Sequence, residues 1–396
     1  MADKIMYSDL MITFICDKRK KGRSWDQIAA AFNEEFKTNI SYSSIRRAYL
    51  LQSLIPAKNK DIDLSLAKEN RAIRRTNHRL RSESNAALDA LTAHDEIYKA
   101  IGKLLNKWEF EPINVATPPK PKAKGKKAIL ELLLSDLHIG QKTDSFNFAV
   151  ARKRLVEIRE TFLFEVKKAE GMYTLDKIIL AMLGDMIHSY EFHGLASAIT
   201  CEDTTEVQTA QAIDMLFWEI IKPIAELGYP IEIPAVPGNH DRTSKERKVY
   251  RPGEESVTHV IYRCLEMLCR TTGLNNVTWT ISKESYIVSE IFGKKVLYSH
   301  GVGTKLTPRG IEDSINDRQT QLRSIIDFYR FGHWHSYNQF GRGRAICNAT
   351  LVSGDGYSDE LGYAGEAGQT ISLYVETTRR KTPFYWSYLC SVENVK

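Results

Sequence analysis

Ala128-Ile-Leu-Glu-Leu-Leu-Leu-Ser-Asp-Leu-His138 is the stretch on which the fold turns. Ile129 to Leu134 is a short, nearly continuous apolar run. That suits a strand covered on both faces better than a surface strand of alternating polarity. The run ends in Asp136 and His138, two residues apart, where the chain leaves the strand and both side chains can turn to one ion. Open α/β sheets gather ligands beyond the C-terminal ends of their strands, so this segment predicts a buried sheet with a site at its edge. The same texture repeats outward. A helix is expected over 147–170, a strand over Lys177 to Leu183, a helix over 204–227, a strand over Ile231 to Val236 and a helix over 254–272. Ser285 to Ile291 and Lys295 to Tyr298 flank Phe292-Gly293-Lys294 as a hairpin, and strands follow at Ala345 to Val352 and Thr370 to Val375. This is α/β chain logic with a β-richer second half, helices packing around one or two central sheets.

Four further runs resemble the first in chemistry: Gly184-Asp-Met-Ile-His188, Gly238-Asn-His-Asp241, Ser299-His-Gly301 and Gly332-His-Trp-His335. Each is weak alone, since an Asp after a strand is usually a turn or a helix cap. Six of the ten histidines fall in the five runs, each beside Asp, Asn or Gly and after an apolar strand, and that concentration is what marks a site. Asp136, His138, Asp185, Asn239, His300, His333 and His335 form a mixed nitrogen and oxygen set without thiolates. Such a set suits Mn²⁺, Fe²⁺ or Zn²⁺ more than Ca²⁺. A carboxylate has two oxygens, so Asp185, in the middle of the order, is the natural bridge between two divalent ions.

The ordered set D-x-H, G-D, G-N-H-D, H and G-H-x-H resembles the signature of the calcineurin-like metallophosphoesterases over about residues 128–350. The resemblance implies a four-layer α/β-β-α sandwich. It implies that Asp136, His138 and His335 hold one metal and Asn239, His300 and His333 the other, with Asp185 shared. It also places His240 over the phosphate, assisting the leaving oxygen, with Asp241 orienting its ring. The reaction implied is in-line attack on phosphorus by a metal-bridging hydroxide, with no phosphorylated residue. Many family phosphatases carry G-D-x-x-D, whereas this chain has His188 at the last position. That is similar to the G-D-L-F-H run of SbcD-type DNA repair nucleases, and it tilts the expectation toward phosphodiesters. The alternative is a structural His beneath the site. SbcD-type proteins continue into a capping domain, while this chain stops soon after Thr370 to Val375, so its organisation is more similar to stand-alone metallophosphoesterases of tailed bacteriophages. The expected activity is a Mn²⁺-dependent DNA nuclease. The alternatives are a phosphomonoesterase acting on proteins or nucleotides, and a DNA-binding accessory protein.

Charge separates the front of the chain from the rest. Residues 1–127 hold 25 Lys+Arg against 15 Asp+Glu, and the remainder 30 against 34. The excess outside the catalytic region suggests an anionic polymer, DNA, as partner. Residues 1–55 read as three short helices, from Tyr7 to Lys20, Trp25 to Phe36 behind an N-cap at Ser24, and a third capped by Ser41 and running to Leu51. Ile28, Ala29 and Phe32 share one face. The unit resembles a helix-turn-helix with Arg46 and Arg47 near phosphates or bases; the alternative is a small helical interaction domain. Residues 56–110 read as a helical spacer, with 62–108 a candidate dimerisation arm, and 111–127 as a Pro/Lys-rich linker. The catalytic domain is then 128–396. Arg242, Lys245, Arg247 and Lys248 beside the fourth-ligand run could meet phosphates, or form an ordinary solvated loop. Ser353-Gly-Asp-Gly-Tyr357 reads as a tight turn at the site rim.

No apolar run approaches the roughly 20 residues that span a bilayer, and no secretory signal is visible. Six scattered cysteines without a framework suit a reducing cytoplasm.

Overall fold

The computed structural model describes residues 7–53, 112–118, 125–189, 199–242, 252–353, 365–377 and 382–396. The spacer expected over 56–110, Lys245, Arg247, Lys248 and the loop after Ser353 lie outside the described residues. The chain divides between Asp89 and Ala90 into two compact units.

The first unit contains α1 (Asp9–Lys20), α2 (Trp25–Phe36) and α3 (Tyr42–Ser53). Ser24 caps α2 in a reciprocal box: its hydroxyl accepts from Gln27 N–H, and the Gln27 side chain accepts from Ser24 N–H. Lys37, at φ 46°, ends α2 in the left-handed conformation. The Asn33 amide then ties the turn to the chain entering α3, bonding both the N–H and the carbonyl of Ile40. Ile28, Ala29 and Phe32 are buried against Ile12, Ile15, Ile45 and Ala48. The first helix starts at Asp9 rather than Tyr7 because the Ser8 hydroxyl caps it.

The second unit is built on two sheets. The first holds β1 (Lys127–Leu134), β2 (Thr174–Met182), β3 (Ile231–Ala235), β4 (Val277–Ile281), β10 (Gly368–Val375) and β11 (Phe384–Ser391) in the order β11-β10-β1-β2-β3-β4. β1 to β4 are parallel, and β10 and β11 close one edge antiparallel. The second holds β5 (Tyr286–Ile291), β6 (Lys294–Ser299), β7 (Phe328–Phe331), β8 (Asn338–Phe340) and β9 (Ala345–Cys347) in the order β5-β6-β7-β9-β8. β5 and β6 are the expected hairpin, turning on Phe292 and Gly293, both at positive φ.

Strand alternation sorts the side chains into layers. From β1, Leu130, Leu132 and Leu134 pack on one face with α4 (Phe148–Met172), α5 (Thr205–Met215) and α7 (Val257–Thr271). Ile129 and Leu133 point the other way, to Val296, Tyr298, Phe328 and Ile346 of the second sheet. The far face of that sheet packs Leu297, Tyr329 and Phe331 on Ile311 and Ile315 of α8 (Pro308–Leu322). The result is helix, sheet, sheet, helix, the sandwich the sequence resemblance implies. Between α5 and the short α6 (Lys222–Ala225), Leu216–Ile221 is a π-helical turn inside the single helix expected over 204–227.

One polar cluster lies wholly inside the layer between the sheets. Glu131 of β1 accepts hydrogen bonds from the Tyr298 and Tyr374 hydroxyls, 2.6 and 2.7 Å, and from Arg330 Nε of β7 at 3.3 Å. Arg330 also donates to Tyr374 and to the carbonyls of Tyr329 and Arg344. Both charges are fully buried and both are paired, which the dry environment requires.

Two boundaries differ from expectation. Residues 112–118 of the expected linker lie on the second unit, with Ile113 N–H donating to Thr272 O, Ala116 N–H donating to Glu226 O, and Ile113 and Val115 packed on the core. Alternating apolar residues in a Pro-rich stretch let it sit in a groove. The strand expected to run from Ala345 to Val352 ends at Cys347, because Asn348 leaves the ladder to bond Ser135 and Gln369 beneath the site.

Candidate metal centre

The loops after β1 and β2 lace together. Asp136, His138 and Ile139 donate their N–H groups to the carbonyls of Gly184, Asp185 and Met186. This brings Asp136, His138 and Asp185 to one edge of the first sheet, all almost fully buried. The loop after β3 adds Asn239. A Cβ at Gly238 would collide with Asp185 Oδ1, and one at Gly332 with Asp136 Oδ2, so both close approaches require glycine. From the second sheet come His300 after β6, and His333 and His335 after β7.

Among the described residues three groups have ligand atoms within 4.8 Å of one another: first Asp136, His138 and His335, second Asp185, His300 and His333, and third His138, His188 and His240. Asn239 Oδ1 joins the second, 3.0 Å from His300 Nε2. All seven residues expected to bind metal are therefore in one place. Five of them (Asp136, His138, Asp185, His333 and His335) have φ between 43° and 75°. A non-glycine residue in this region costs on the order of 1–3 kcal/mol, so the surrounding bonds must hold each one there.

Those bonds are visible. The carbonyl of Asp136 accepts from Leu351 N–H and the Thr350 hydroxyl, and its carboxylate accepts His333 N–H. Gln369 accepts Ser135 N–H at 2.9 Å and donates to the carbonyls of Ser135 and Ala349. Buried Arg154 on α4 donates to the carbonyls of Leu351 and Val395 and to the Ser353 hydroxyl, clamping the rim.

The electrostatics call for cations. His300 donates through Nδ1 to the Leu183 carbonyl, which leaves Nε2 facing Asp185 Oδ2 and Asn239 Oδ1, each at 3.0 Å. Burial disfavours a charged His300, yet Asp185 and Asp136 override it and raise its pKa to about 10. His333 is lowered to about 4 by burial and by His300. Burial also holds His138 well below its ordinary value, aided by the cationic field of His240 and His335. Burial alone would raise the Asp185 carboxyl, but His300 and His240 pull it well below the usual range. Among the described residues, the buried Asp185 Oδ2 faces His300 Nε2 at 3.0 Å and no other donor, and His138 Nε2 and His335 Nε2 approach to 3.1 Å. Carboxylate oxygens and imidazole nitrogens converging in this way fit two divalent cations, with Asp185 placed to be shared.

His240 and His188 stand beside the first cluster. His240 and His138 have ring centroids 4.7 Å apart, and His188 stacks on His240 at 5.5 Å. His188 is also 3.2 Å from the Thr200 hydroxyl. Asp241 does not orient the His240 ring. That ring donates through Nδ1 to the His188 carbonyl, while Asp241 Oδ2 accepts the N–H groups of Asp185 and Gly238 and its Oδ1 has no partner. Asp241 is instead a brace for the backbone carrying Asp185. Burial, then the neighbouring Asp185 charge, raises its pKa to about 7.

Arg154, Asn348, Thr350 and Gln369 went unread in the sequence. Arg154 had a signal, because it sits at a core position of a helix between Ala151, Leu155 and Ile158. Asn348, Thr350 and Gln369 had none, since the partners that tie them to the site lie about 20 to more than 200 residues away.

No family model matches the chain, and no curated protein matches it. Among solved structures it is similar to an archaeal phosphodiesterase (14% identity, 66% of this chain and 99% of that one, TM-score 0.29). It is also similar to Vacuolar Protein Sorting 29 from Cryptosporidium parvum (15%, 66% and 98%, 0.27) and to a predicted phosphoesterase from Streptococcus pneumoniae (12%, 66% and 98%, 0.26). The layered sandwich and the gathering of the seven residues at one edge of it are the arrangement expected from the sequence motifs.

Proposed function

We propose that this chain is a metal-dependent phosphodiesterase that cleaves DNA, with Mn²⁺ the expected metal and Fe²⁺ or Zn²⁺ the alternatives. The observation that carries the reading is the pair of clusters around Asp136 and Asp185 with His240 next to them. Two divalent cations held there supply an acidified water and neutralise charge on phosphoryl oxygens. The rest falls to the chain's own groups. His240, its Nδ1 proton fixed on the His188 carbonyl, turns Nε2 toward the ligand cluster, where a proton can pass to a departing ester oxygen. Buried ligands exclude bulk water from the reacting phosphate, which strengthens every contact to it.

His188 supports the diester reading. It adds a second imidazole on the His240 side, where a phosphatase of the family would carry a carboxylate that repels a further ester group's phosphates. The DNA reading rests on the first unit. Tyr42, Ser43, Ser44, Arg46 and Arg47 are exposed on α3 while Ile45 and Ala48 face the core, the division a helix needs to lie in a groove. No described helix is long and apolar enough to cross a membrane.

A panel of single-stranded, duplex and hairpin DNAs with Mn²⁺, Mg²⁺ and Zn²⁺ tests this. Mn²⁺-stimulated cleavage is expected. Rapid hydrolysis of simple monoesters with no cleavage of DNA or RNA would establish a phosphomonoesterase instead.

A further inference from the structure

A cavity of 460 Å³ opens beside His300 and Gly238, between the loop Gly301–Thr304 and α8. It is of the size that takes a small-molecule group, and it lies at a particular end of the site. His240 stands by His138, in the cluster of Asp136, His138 and His335. The cavity begins at His300, in the cluster of Asp185, His300 and His333. A phosphoryl group across both clusters, with one ester oxygen toward His240, thus has room for a second substituent in the cavity. A monoester has no such substituent.

The walls indicate its chemistry. Ser299 Oγ is 2.9 Å from the Tyr329 hydroxyl, which is 3.0 Å from Thr304 Oγ1. Ser314 Oγ continues the chain, 3.1 Å from Thr304 and 3.0 Å from the Gly310 carbonyl. Ser314 is the donor to Thr304 or to Gly310, while the bonds of Tyr329 to Ser299 and to Thr304 can each run in either direction. When Ser299 donates to Tyr329, it meets the cavity as an acceptor. When Tyr329 donates to Ser299, the Ser299 proton is left over for the cavity. A group with both donors and acceptors, such as a sugar with its ester oxygens, suits that end. Arg242 and Arg318 line the cavity against one carboxylate, Asp317. The Arg318 guanidinium carbon lies 3.8 Å from the centre of the Tyr286 ring, with Gln321 accepting from it.

We infer that this cavity seats the nucleoside on the non-departing side of the scissile phosphodiester, with Ser299 on its sugar–phosphate oxygens and Arg318 and Arg242 on the next phosphate of the strand. The inference rests on the diester reading above and adds where the second substituent goes.

The test compares kcat/KM on a short oligothymidylate with kcat/KM on bis(4-nitrophenyl) phosphate, in the full-length metal-loaded chain. The small diester lacks both sugar and flanking phosphate. Taking the ratio on one preparation cancels differences in folded fraction. In Arg318→Ala the ratio is expected to fall about tenfold, and in Ser299→Ala about threefold, mostly through KM, as loss of single polar contacts to an anion gives. Arg309→Ala removes an equal charge from the exposed start of the same helix and is expected to keep the wild-type ratio. An unchanged ratio in both cavity variants, or an equal fall in Arg309→Ala, overturns the inference. If wild type hydrolyses monoesters but neither diester, the diester reading itself has failed; if it cleaves both diesters and the variants keep the ratio, only the cavity assignment has.

Discussion

The three-helix unit and the two-sheet unit solve opposite problems. In the first, almost every stabilising feature is local: the Ser24–Gln27 box spans three residues, and the Asn33 clasp on Ile40 spans seven. In the second, Gln369 reaches Ser135 across 234 residues and Arg330 reaches Glu131 across 199. Local bonds make a unit that needs only its own helices. Distant bonds make one whose site exists only when every strand is in place, and that can hold five ligands in a backbone conformation none would choose alone.

Asp185→Asn should break this contrast most sharply. Losing this carboxylate is expected to reduce turnover by about 10⁴-fold or more, with metal content falling as read by elemental analysis and the helicity of the first unit intact. An active Asn variant would remove the dinuclear reading. His240→Ala is expected to cost about 10²–10⁴-fold in kcat while metal content stays near wild type. Equal loss of both metals would make His240 structural.

Three further measurements separate the units by stability. His300 is raised from 6.5 to about 10 in the fold, so its contribution is fully present below pH 6.5 and is lost as pH rises through about 10. The chelated chain should therefore lose thermal stability between pH 7 and pH 10, and the metal-loaded chain should lose less. A flat profile for the chelated chain would show that His300 carries no proton there. Arg154→Met leaves the carbonyls of Leu351 and Val395 without their donor, at about 3 kcal/mol of unfolding free energy, measurable by denaturant titration; no loss would mean the clamp is idle. The smallest effect belongs to the first unit. Ser24→Ala should remove about 1 kcal/mol of its stability, seen as reduced helicity, with hydrolysis of small esters unaltered. A change in that hydrolysis would show the two units are coupled.

The same contrast explains what could be read from sequence. β1 and its Asp136-Leu-His138 exit were legible because a buried strand and its ligands are adjacent in the chain. The seven residues that gather at the site were legible as a set because each run carries its own glycine or partner. The role of Asp241 was misread because adjacency to His240 suggested contact, whereas the turn directs its carboxylate back to Asp185 N–H. β4, β8 and β11 were passed over, being short or interrupted by exposed polar residues such as Thr278, Thr280 and Gln339. Asn348 and Gln369 are polar residues in apolar surroundings, and only the fold supplies what they bond.

The clasp of Glu131, Arg330, Tyr298 and Tyr374 bears on the site from a distance. Asp136 lies five residues beyond Glu131 on one sheet, and His333 three beyond Arg330 on the other. The ligands are thus the tips of two jaws, and the clasp is their pivot, placed where neither salt nor solvent can reach it. A swap of its four members for apolar residues of equal volume could leave the fold as stable as before. It would let the sheets slide, and the gap between the jaws, across which Asp136 and His333 face each other, would cease to have a single value.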